Sequence, residues 1–272
     1  GDADAGAGHS LGHYTVLAAS GILSEEMVLG LVSKRVACCE AMRTRDGGCM
    51  FALSIDEPAA RALAKSAPYP MFPANFNSPN QTVFALARRH ANAIGRFLDK
   101  RGIEWSRLPV TWGYHSPFVE PAGRAYLRHL KHCRFINPHM RVYSETTGAP
   151  VRLDGHACPP WLRVHIYHPV QFSRTARAMR ADGYRHFLEV GGRGTLSRFV
   201  RDTLGKDDYR CLTMDSTASD HMEHFHGVLA ALFLDAGQCI DMGTYARLFA
   251  AHLCPIGIGH DIVHLSTRAV RG

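Results

Sequence analysis

The chain has 272 residues, of which 46% are hydrophobic and 20% charged, and its formal net charge at neutral pH is +7. This is the composition of an ordinary globular protein, and the length allows one large domain or a domain with a smaller one inserted. No apolar run approaches the roughly 18 residues that a membrane-spanning helix needs, so the sequence predicts no membrane segment.

The distribution of charge and of cysteines indicates which class of partner the protein binds and in which compartment it lies. Lysine and arginine are spread along the chain and accompany no nucleic-acid-binding motif, so the positive charge favours a phosphate-bearing ligand or an acidic protein partner over DNA. The eight cysteines form no CxxC pair, and Cys38 and Cys39 are adjacent. This usage predicts reduced thiols in a cytoplasmic protein.

The first feature in chain order is the pentapeptide Gly-His-Ser-Leu-Gly at residues 8–12. A short run of small residues, predicted as a buried strand, precedes it, and a helical pattern over residues 11–21 follows. A G-x-S-x-G sequence between a strand and a helix is typical of a sharp turn that presents a serine nucleophile, here Ser10. The backbone N–H of Leu11 would then donate to an oxyanion at the helix N-terminus. A chance Gly/Ser turn is the alternative.

The next segments predict a compact inserted unit. A helix over residues 24–42, with Ser24 as its N-cap, carries Arg35. After it, the pattern predicts a β-α-β-β-α-β order typical of the ferredoxin-like plan. Its strands and helices are predicted at residues 49–55, 58–66, 73–77, 81–86, 88–101 and 104–110.

The remainder of the chain returns to longer alternating units. Helices are predicted at residues 121–133, 169–179, from 196 and at 221–236, and strands at 140–143 and 186–190. Strands and helices on both sides of a small insertion predict an α/β fold with an α/β-hydrolase-like core and an inserted ferredoxin-like subdomain. The predicted core is residues 1–46 and 113–272, and the predicted subdomain is residues 47–112.

A serine nucleophile needs a base, and position favours one of the 17 histidines. His115 follows the last strand of the predicted subdomain, which places it at the cleft between the two units, where ligands tend to bind. His221, His224 and His226 share a helical region and raise a metal hypothesis. The pattern favours a solvated helix face there, and no metal site is predicted.

Five segments together resemble one family. They are Gly-His-Ser-Leu-Gly at 8–12, Asn-Phe-Asn-Ser-Pro-Asn-Gln at 75–81, Tyr-His-Ser-Pro at 114–117, His-Pro-Val-Gln-Phe at 168–172 and Glu-Val-Gly-Gly at 189–192. In this order and spacing the chain resembles the malonyl-CoA:acyl carrier protein transacylase family, which includes the acyltransferase domains of polyketide and fatty acid synthases. The resemblance extends over about residues 4–245.

The resemblance implies a function and a role for particular residues. It implies that Ser10 carries the acyl group as an ester, that His115 is its base and that the Leu11 N–H holds the oxyanion. Arg35 falls where the family binds the acyl carboxylate, and the backbone carbonyl of Gln171 is expected to orient the histidine. The implied reaction moves a malonyl group from coenzyme A to the phosphopantetheine thiol of an acidic acyl carrier protein, without a metal or other cofactor.

The same resemblance places Tyr114, Trp112 and Asn77 in the substrate pocket. A bulky aromatic residue directly before the catalytic histidine disfavours a methyl branch on the acyl group, so Tyr114 favours malonyl. The tetrapeptide Trp-Gly-Tyr-His at 112–115 matches neither of the family's two usual specificity patterns.

The sequence departs from the family at three points, and two rival functions stay open. The family has an earlier segment that supplies a second oxyanion donor and has no counterpart in this sequence. His13 replaces a glutamate, which we expect to be a surface substitution, and His168 replaces an asparagine in the loop that supports the base. The rivals are an acyl-thioester hydrolase or esterase and a degenerate, non-catalytic acyltransferase domain that docks in a synthase.

Overall fold

The computed structural model describes residues 3–42, 46–153, 155–191, 193–215 and 221–235. Its strands are β1 Ala5–Ala7, β2 Cys49–Leu53, β3 Met71–Ser78, β4 Gln81–Leu86, β5 Trp105–Arg107, β6 Arg141–Ser144, β7 Ala149–Pro150, β8 His186–Glu189 and β9 Arg210–Thr213. Its α-helices are α1 Gly12–Ala19, α2 Glu25–Glu40, α3 Glu57–Ser66, α4 Ala91–Asp99, α5 Glu120–Leu130, α6 Pro160–Arg163, α7 Phe172–Ala181, α8 Thr195–Leu204 and α9 His221–Asp235.

The inserted unit is a four-stranded antiparallel sheet with the strand order β3-β4-β2-β5. This is the ferredoxin-like order. One face packs Phe51 and Phe84 against Leu63 of α3 and Ile94 of α4. The other face buries Met50, Ala52, Ala74, Val83 and Ala85 against the segment that carries Tyr114 and Phe118. Because both faces are covered, β2 is buried at every position.

The larger unit is built on parallel strands. β1 pairs in parallel with β6, β7 adds to β6 in antiparallel orientation, and β8 and β9 form a separate parallel pair. The main core packs α1, α2 and α5 together through Tyr14, Leu17, Leu31, Tyr126 and Leu130. These layers of strands and helices confirm the α/β fold class. Within the described ranges, no helix is both long and apolar enough to cross a membrane.

Several predicted boundaries are close to the observed ones, and one differs for a clear reason. Ser24 is the N-cap of α2, where its Oγ accepts the Met27 N–H at 3.3 Å. The predicted helix at 169–179 instead begins at Phe172, because Val170 first pairs with β3. Val170 N donates to Ala74 O at 2.9 Å, and Phe76 N donates to Val170 O at 2.8 Å. This bridge fixes the segment before α7 to the inserted sheet. The predicted core segment 236–272 lies outside the described residues.

Candidate active site

The turn between β1 and α1 holds Ser10 in a strained conformation. Ser10 has a φ of 51°, in the left-handed region that side chains rarely adopt. A Cβ at Gly8 would overlap the backbone of His13, so only glycine fits there. Around Gly12 there is open space for a Cβ. The chain thus turns sharply at Ser10, as predicted, but only the first of the two glycines is needed for room.

Ser10 and His115 form a hydrogen-bonded pair. Ser10 Oγ lies 2.7 Å from His115 Nε2, and His115 Nδ1 lies 3.1 Å from the backbone oxygen of His168. A carbonyl oxygen can only accept, so Nδ1 carries the ring proton and Nε2 presents its lone pair to the serine hydroxyl. This tautomer is the one that a general base needs.

The surroundings of His115 keep its ring uncharged. The side chain is buried, and burial lowers its pKa to about 3, with further lowering by Arg35, His165 and His9. Glu145 opposes this by raising the pKa. His115 itself has a φ of 57°, and its N–H donates to the Ile166 carbonyl at 2.9 Å. The His115 ring is therefore neutral at physiological pH, and its backbone is held by the Ile166 carbonyl.

The carbonyl that orients the base belongs to His168, and the prediction for Gln171 is wrong. The Gln171 carbonyl accepts from the N–H of Thr175 at 2.9 Å and from its Oγ1 at 3.0 Å, within the first turn of α7. Pro169 disfavours a helical conformation at the residue before it, so the His168 carbonyl stays outside α7. It is thus available to His115.

Arg35 is a buried cation on α2. Its side chain is 5% exposed, and its guanidinium lies over the rings of Tyr14 and Tyr114, at 5.6 and 5.7 Å from their centroids. Nη1 is buried without a hydrogen-bond partner among the described residues. A buried charge with an unused donor is costly unless an anion pairs with it, so the arrangement suits a carboxylate ligand.

A sequence profile of the acyl transferase domain matches residues 2–234, which is most of the chain. This chain belongs to the acyl transferase domain family.

Several characterised relatives support this membership. Polyketide synthase GfsB of Streptomyces halstedii is 31% identical over 260 residues, which are 88% of this chain and 5% of GfsB. Polyketide biosynthesis protein ThaF of Burkholderia thailandensis is 33% identical over 200 residues, which are 73% of this chain and 17% of ThaF. The acyl transferase domain described here therefore spans a small part of the relatives it matches.

Solved structures show the same fold. The acyltransferase domain from the second module of the salinomycin polyketide synthase superposes with a TM-score of 0.78 at 25% identity, covering 94% of this chain and 58% of that one. The malonyl CoA-acyl carrier protein transacylase of Clostridium perfringens gives a TM-score of 0.72 at 25% identity, covering 85% of this chain and 73% of that one.

Leu11 of this acyl transferase domain is the N-cap of α1. Its backbone is helical, with φ −57° and ψ −35°, and its side chain is 52% exposed. The N–H groups at the start of a helix have no partner within the helix and lie at the positive end of its dipole. The Leu11 N–H is therefore a suitable donor to an oxyanion formed on the acyl group of Ser10.

The three residues predicted for the substrate pocket, Tyr114, Trp112 and Asn77, have different surroundings in the structure. Tyr114 is partly buried and in contact with Arg35, and Trp112 packs against the main core beside Gly47. Asn77 is buried, and both ends of its amide are bonded within the chain. Its Oδ1 is 2.7 Å from Nε2 of His9, and its Nδ2 donates to Oε1 of Gln81 at 2.8 Å. Asn77 thus ties the nucleophile turn to β3.

His13 is buried, so the expected surface substitution is wrong. Its ring is fully enclosed, stacks on His165 at 5.4 Å and meets the edge of Trp161 at 5.2 Å. Burial lowers the pKa of His13 to about 4, which keeps it neutral. The reason is geometric: the sharp turn at Ser10 directs the first turn of α1 into the core, whereas a helix that follows an open loop would present that position to solvent.

Two residues of the site were missed by the sequence analysis, Glu145 and His165. Glu145 Oε2 accepts the N–H of Ser10, and its Oε1 lies 2.8 Å from Nε2 of His165. Both side chains are buried. No local sequence pattern indicates this contact, because it depends on the parallel pairing of β1 with β6, which brings the residues after their carboxyl ends to one sheet edge. Glu145 directly follows β6, and Ser10 follows β1.

A cavity of about 320 Å³ opens beside the base. It lies between β3 of the inserted sheet and the segments before α5 and α7, and its lining includes Phe72, Pro73, His115, Tyr167, His168 and Pro169. The cavity thus reaches His115 from the side of the inserted sheet. Among the residues that the structure describes, no cluster of three or more His, Cys, Asp or Glu side chains is arranged to hold a metal ion.

Proposed function

We propose that this domain transfers a dicarboxylic acyl group, malonyl first, from coenzyme A through an acyl-Ser10 ester to the phosphopantetheine thiol of an acyl carrier protein. The observation that carries the proposal is a neutral Ser10–His115 pair next to a buried arginine, Arg35, whose Nη1 has no hydrogen-bond partner in the described part of the chain. A simple esterase gains nothing from a buried cation at this place, whereas an acyl group with a distal carboxylate pairs with it.

The proposed chemistry needs only groups of the chain. Nε2 of His115 accepts the Ser10 proton while Oγ attacks the thioester carbonyl, and the Leu11 N–H stabilises the oxyanion. When the oxyanion collapses, the carbon–sulfur bond breaks, and the thiol of coenzyme A leaves with the proton from His115. The carrier thiol then repeats these steps in the opposite sense, which leaves Ser10 free. No cofactor is required.

Arg35 is proposed to select the acyl group. Its planar guanidinium can donate two parallel hydrogen bonds to a carboxylate, and the rings of Tyr14 and Tyr114 hold the guanidinium plane in place. Tyr114 would also limit the space near the α-carbon of the acyl group. An acetyl group would leave the Arg35 charge buried and unpaired, so we expect it to be a poor substrate.

The carrier and the pathway follow from charge and relatives. The net charge of +7 suits an acidic carrier protein. GfsB and ThaF are named for polyketide synthesis, and the Clostridium perfringens protein is a malonyl CoA-acyl carrier protein transacylase. We therefore propose a role in polyketide or fatty acid synthesis in the cytoplasm, with the cleft between residues 47–112 and the remainder receiving the phosphopantetheine arm.

Intact-protein mass spectrometry after brief incubation with malonyl-CoA or acetyl-CoA tests this proposal. We expect a malonyl adduct that is lost in Ser10→Ala and is much weaker with acetyl-CoA. In Arg35→Ala the preference should move toward acetyl, because the unpaired charge is gone. Arg96→Ala, which removes an exposed arginine on α4, is the matched control and should behave as the wild type.

Two outcomes would favour the rivals. Rapid release of the free acid with no transfer to a carrier thiol would indicate a hydrolase. A folded protein with no adduct from either thioester would indicate a non-catalytic domain.

A further inference from the structure

Glu145 lies behind the nucleophile, outside the Ser10–His115 pair. Its carboxylate is 1% exposed, and Oε2 accepts the backbone N–H of Ser10. The two residues are 135 positions apart in the sequence and meet because β1 and β6 run in parallel. A buried carboxylate is retained in a fold only where other groups compensate for its lost hydration.

Besides the Ser10 N–H, two contacts hold Glu145 in this position. Oε1 lies 2.8 Å from Nε2 of His165, a close polar contact without hydrogen-bond geometry, and the His165 ring is fully buried. The backbone carbonyl of Glu145 accepts the Gln171 N–H at 2.6 Å, which connects it to the start of α7. His165 in turn stacks on His13, with 5.4 Å between the ring centroids, and both rings are buried.

The backbone at Ser10 needs such support. A side-chain-bearing residue in the left-handed region is strained and persists only where its surroundings hold it. A hydrogen bond from a backbone N–H to a carboxylate is among the strongest that a side chain can offer. The negative charge of Glu145 also acts favourably on the positive charge that forms on His115 when it takes the Ser10 proton.

We propose that Glu145, held by His165, is a positioning residue that keeps the Ser10 backbone in its reactive conformation and stabilises the charged form of His115 during acylation. This inference rests on the proposed function, in that Ser10 is the nucleophile and His115 its base. Glu145 acts through these two residues and need not touch the substrate. Its effect is therefore expected in the rate of acylation and not in the binding of the thioester.

Glu145→Gln is the informative variant, because it keeps the shape and one acceptor oxygen and removes only the charge. Two readouts separate positioning from folding: the kcat and KM of acylation by malonyl-CoA, and the rate at which a fluorophosphonate probe labels Ser10. We expect kcat and the labelling rate to fall about 10- to 100-fold, as for the loss of a charge-assisted hydrogen bond, with KM nearly unchanged. Glu104→Gln, at an exposed position, is the control.

A second variant keeps the proposal falsifiable if Glu145→Gln folds poorly. His165→Gln leaves the carboxylate but removes the ring beside it, so we expect a smaller loss of the labelling rate, measured per folded molecule. The double variant should be no slower than Glu145→Gln alone, because both changes act on one pair. If the rate losses of the two single variants multiply in the double variant, the two residues act independently and the proposal is wrong.

Two other results would also overturn it. Wild-type kcat in a folded Glu145→Gln protein would show that the carboxylate does not position Ser10. A loss that follows the folded fraction alone would show a purely structural role. If the wild-type protein itself is not labelled at Ser10, the proposed function fails as well, so the wild-type and variant arms separate the two failures.

Discussion

Ser10, His115 and the His168 carbonyl form a chain in which each polar atom has one possible role. The carbonyl accepts, so Nδ1 of His115 donates and Nε2 accepts from the serine. Among the described residues, Nδ1 contacts this carbonyl and no carboxylate, unlike in a serine protease triad. The strength of the base is therefore set mainly by burial, which lowers the pKa of His115 to about 3.

The lowered pKa predicts an unusual pH profile for the acylation of Ser10. The base must be neutral, and His115 remains neutral until the pH approaches about 3. We expect the rate of acyl-Ser10 formation to stay level from pH 8 to about 5, with no loss centred on the ordinary histidine value of 6.5. Rapid-quench measurements with malonyl-CoA would test this. A half-maximal rate near pH 6.5 would contradict it.

At the scale of elements, the unit that creates the site is β1, the turn and α1. The strand ends at Ala7, Ser10 takes the left-handed conformation, and the backbone of His13 comes close against Gly8. The bridge of Val170 to β3 and the Asn77–His9 contact join this unit to the inserted sheet. Elements from both parts of the chain thus set the position of the nucleophile.

The two glycines of the turn provide a matched pair of substitutions. We expect Gly8→Ala to reduce the labelling of Ser10 by a fluorophosphonate at least about 100-fold, because the new Cβ would overlap the His13 backbone and force the turn apart. Gly12→Ala has free space at the start of α1 and should keep the wild-type rate. Equal losses in both variants would show that the motif acts through flexibility and not through space.

At the scale of the whole molecule, three buried histidines meet from distant segments. His13 comes from α1, His115 from the segment after the inserted sheet, and His165 from the loop before α7. Burial lowers the pKa of each, to about 4 for His13, to about 3 for His115 and well below the usual value for His165. Below pH 6.5 these three histidines therefore bind protons in the unfolded chain but stay neutral in the folded one.

This difference predicts that stability falls with acidification. Above pH 6.5 these histidines are neutral in both states, and below it the unfolded state binds more protons. The free energy of unfolding should thus fall by about 1.4 kcal/mol per pH unit for each such histidine. Urea unfolding between pH 6.5 and 5 measures the slope. His13→Gln should make it shallower, whereas the exposed His186→Gln should not; a slope equal in all three proteins would contradict the prediction.

Features encoded by neighbouring residues were predictable from the sequence. The nucleophile turn needs a glycine two residues before the serine, and the start of α2 needs the Ser24 cap. The sequence predicted β4 at its observed bounds, because a turn precedes the run that forms it. The order of strands and helices in the inserted unit also follows from local patterns. So does the position of Arg35 on α2, 25 residues after Ser10.

Features that depend on distant contacts were not predictable in this way. Pro169 keeps the His168 carbonyl out of α7, but the bridge between Val170 and β3 fixes this segment where the carbonyl reaches His115. The burial of His13 depends on the direction of α1. Glu145 meets Ser10 only because β6 pairs with β1. The sequence alone therefore determined the chemistry available, a serine, a base and a cation in one family pattern. Only the tertiary structure decided that His115 is neutral and that Glu145 contacts the Ser10 backbone, because burial and contacts between distant residues exist only in the folded chain.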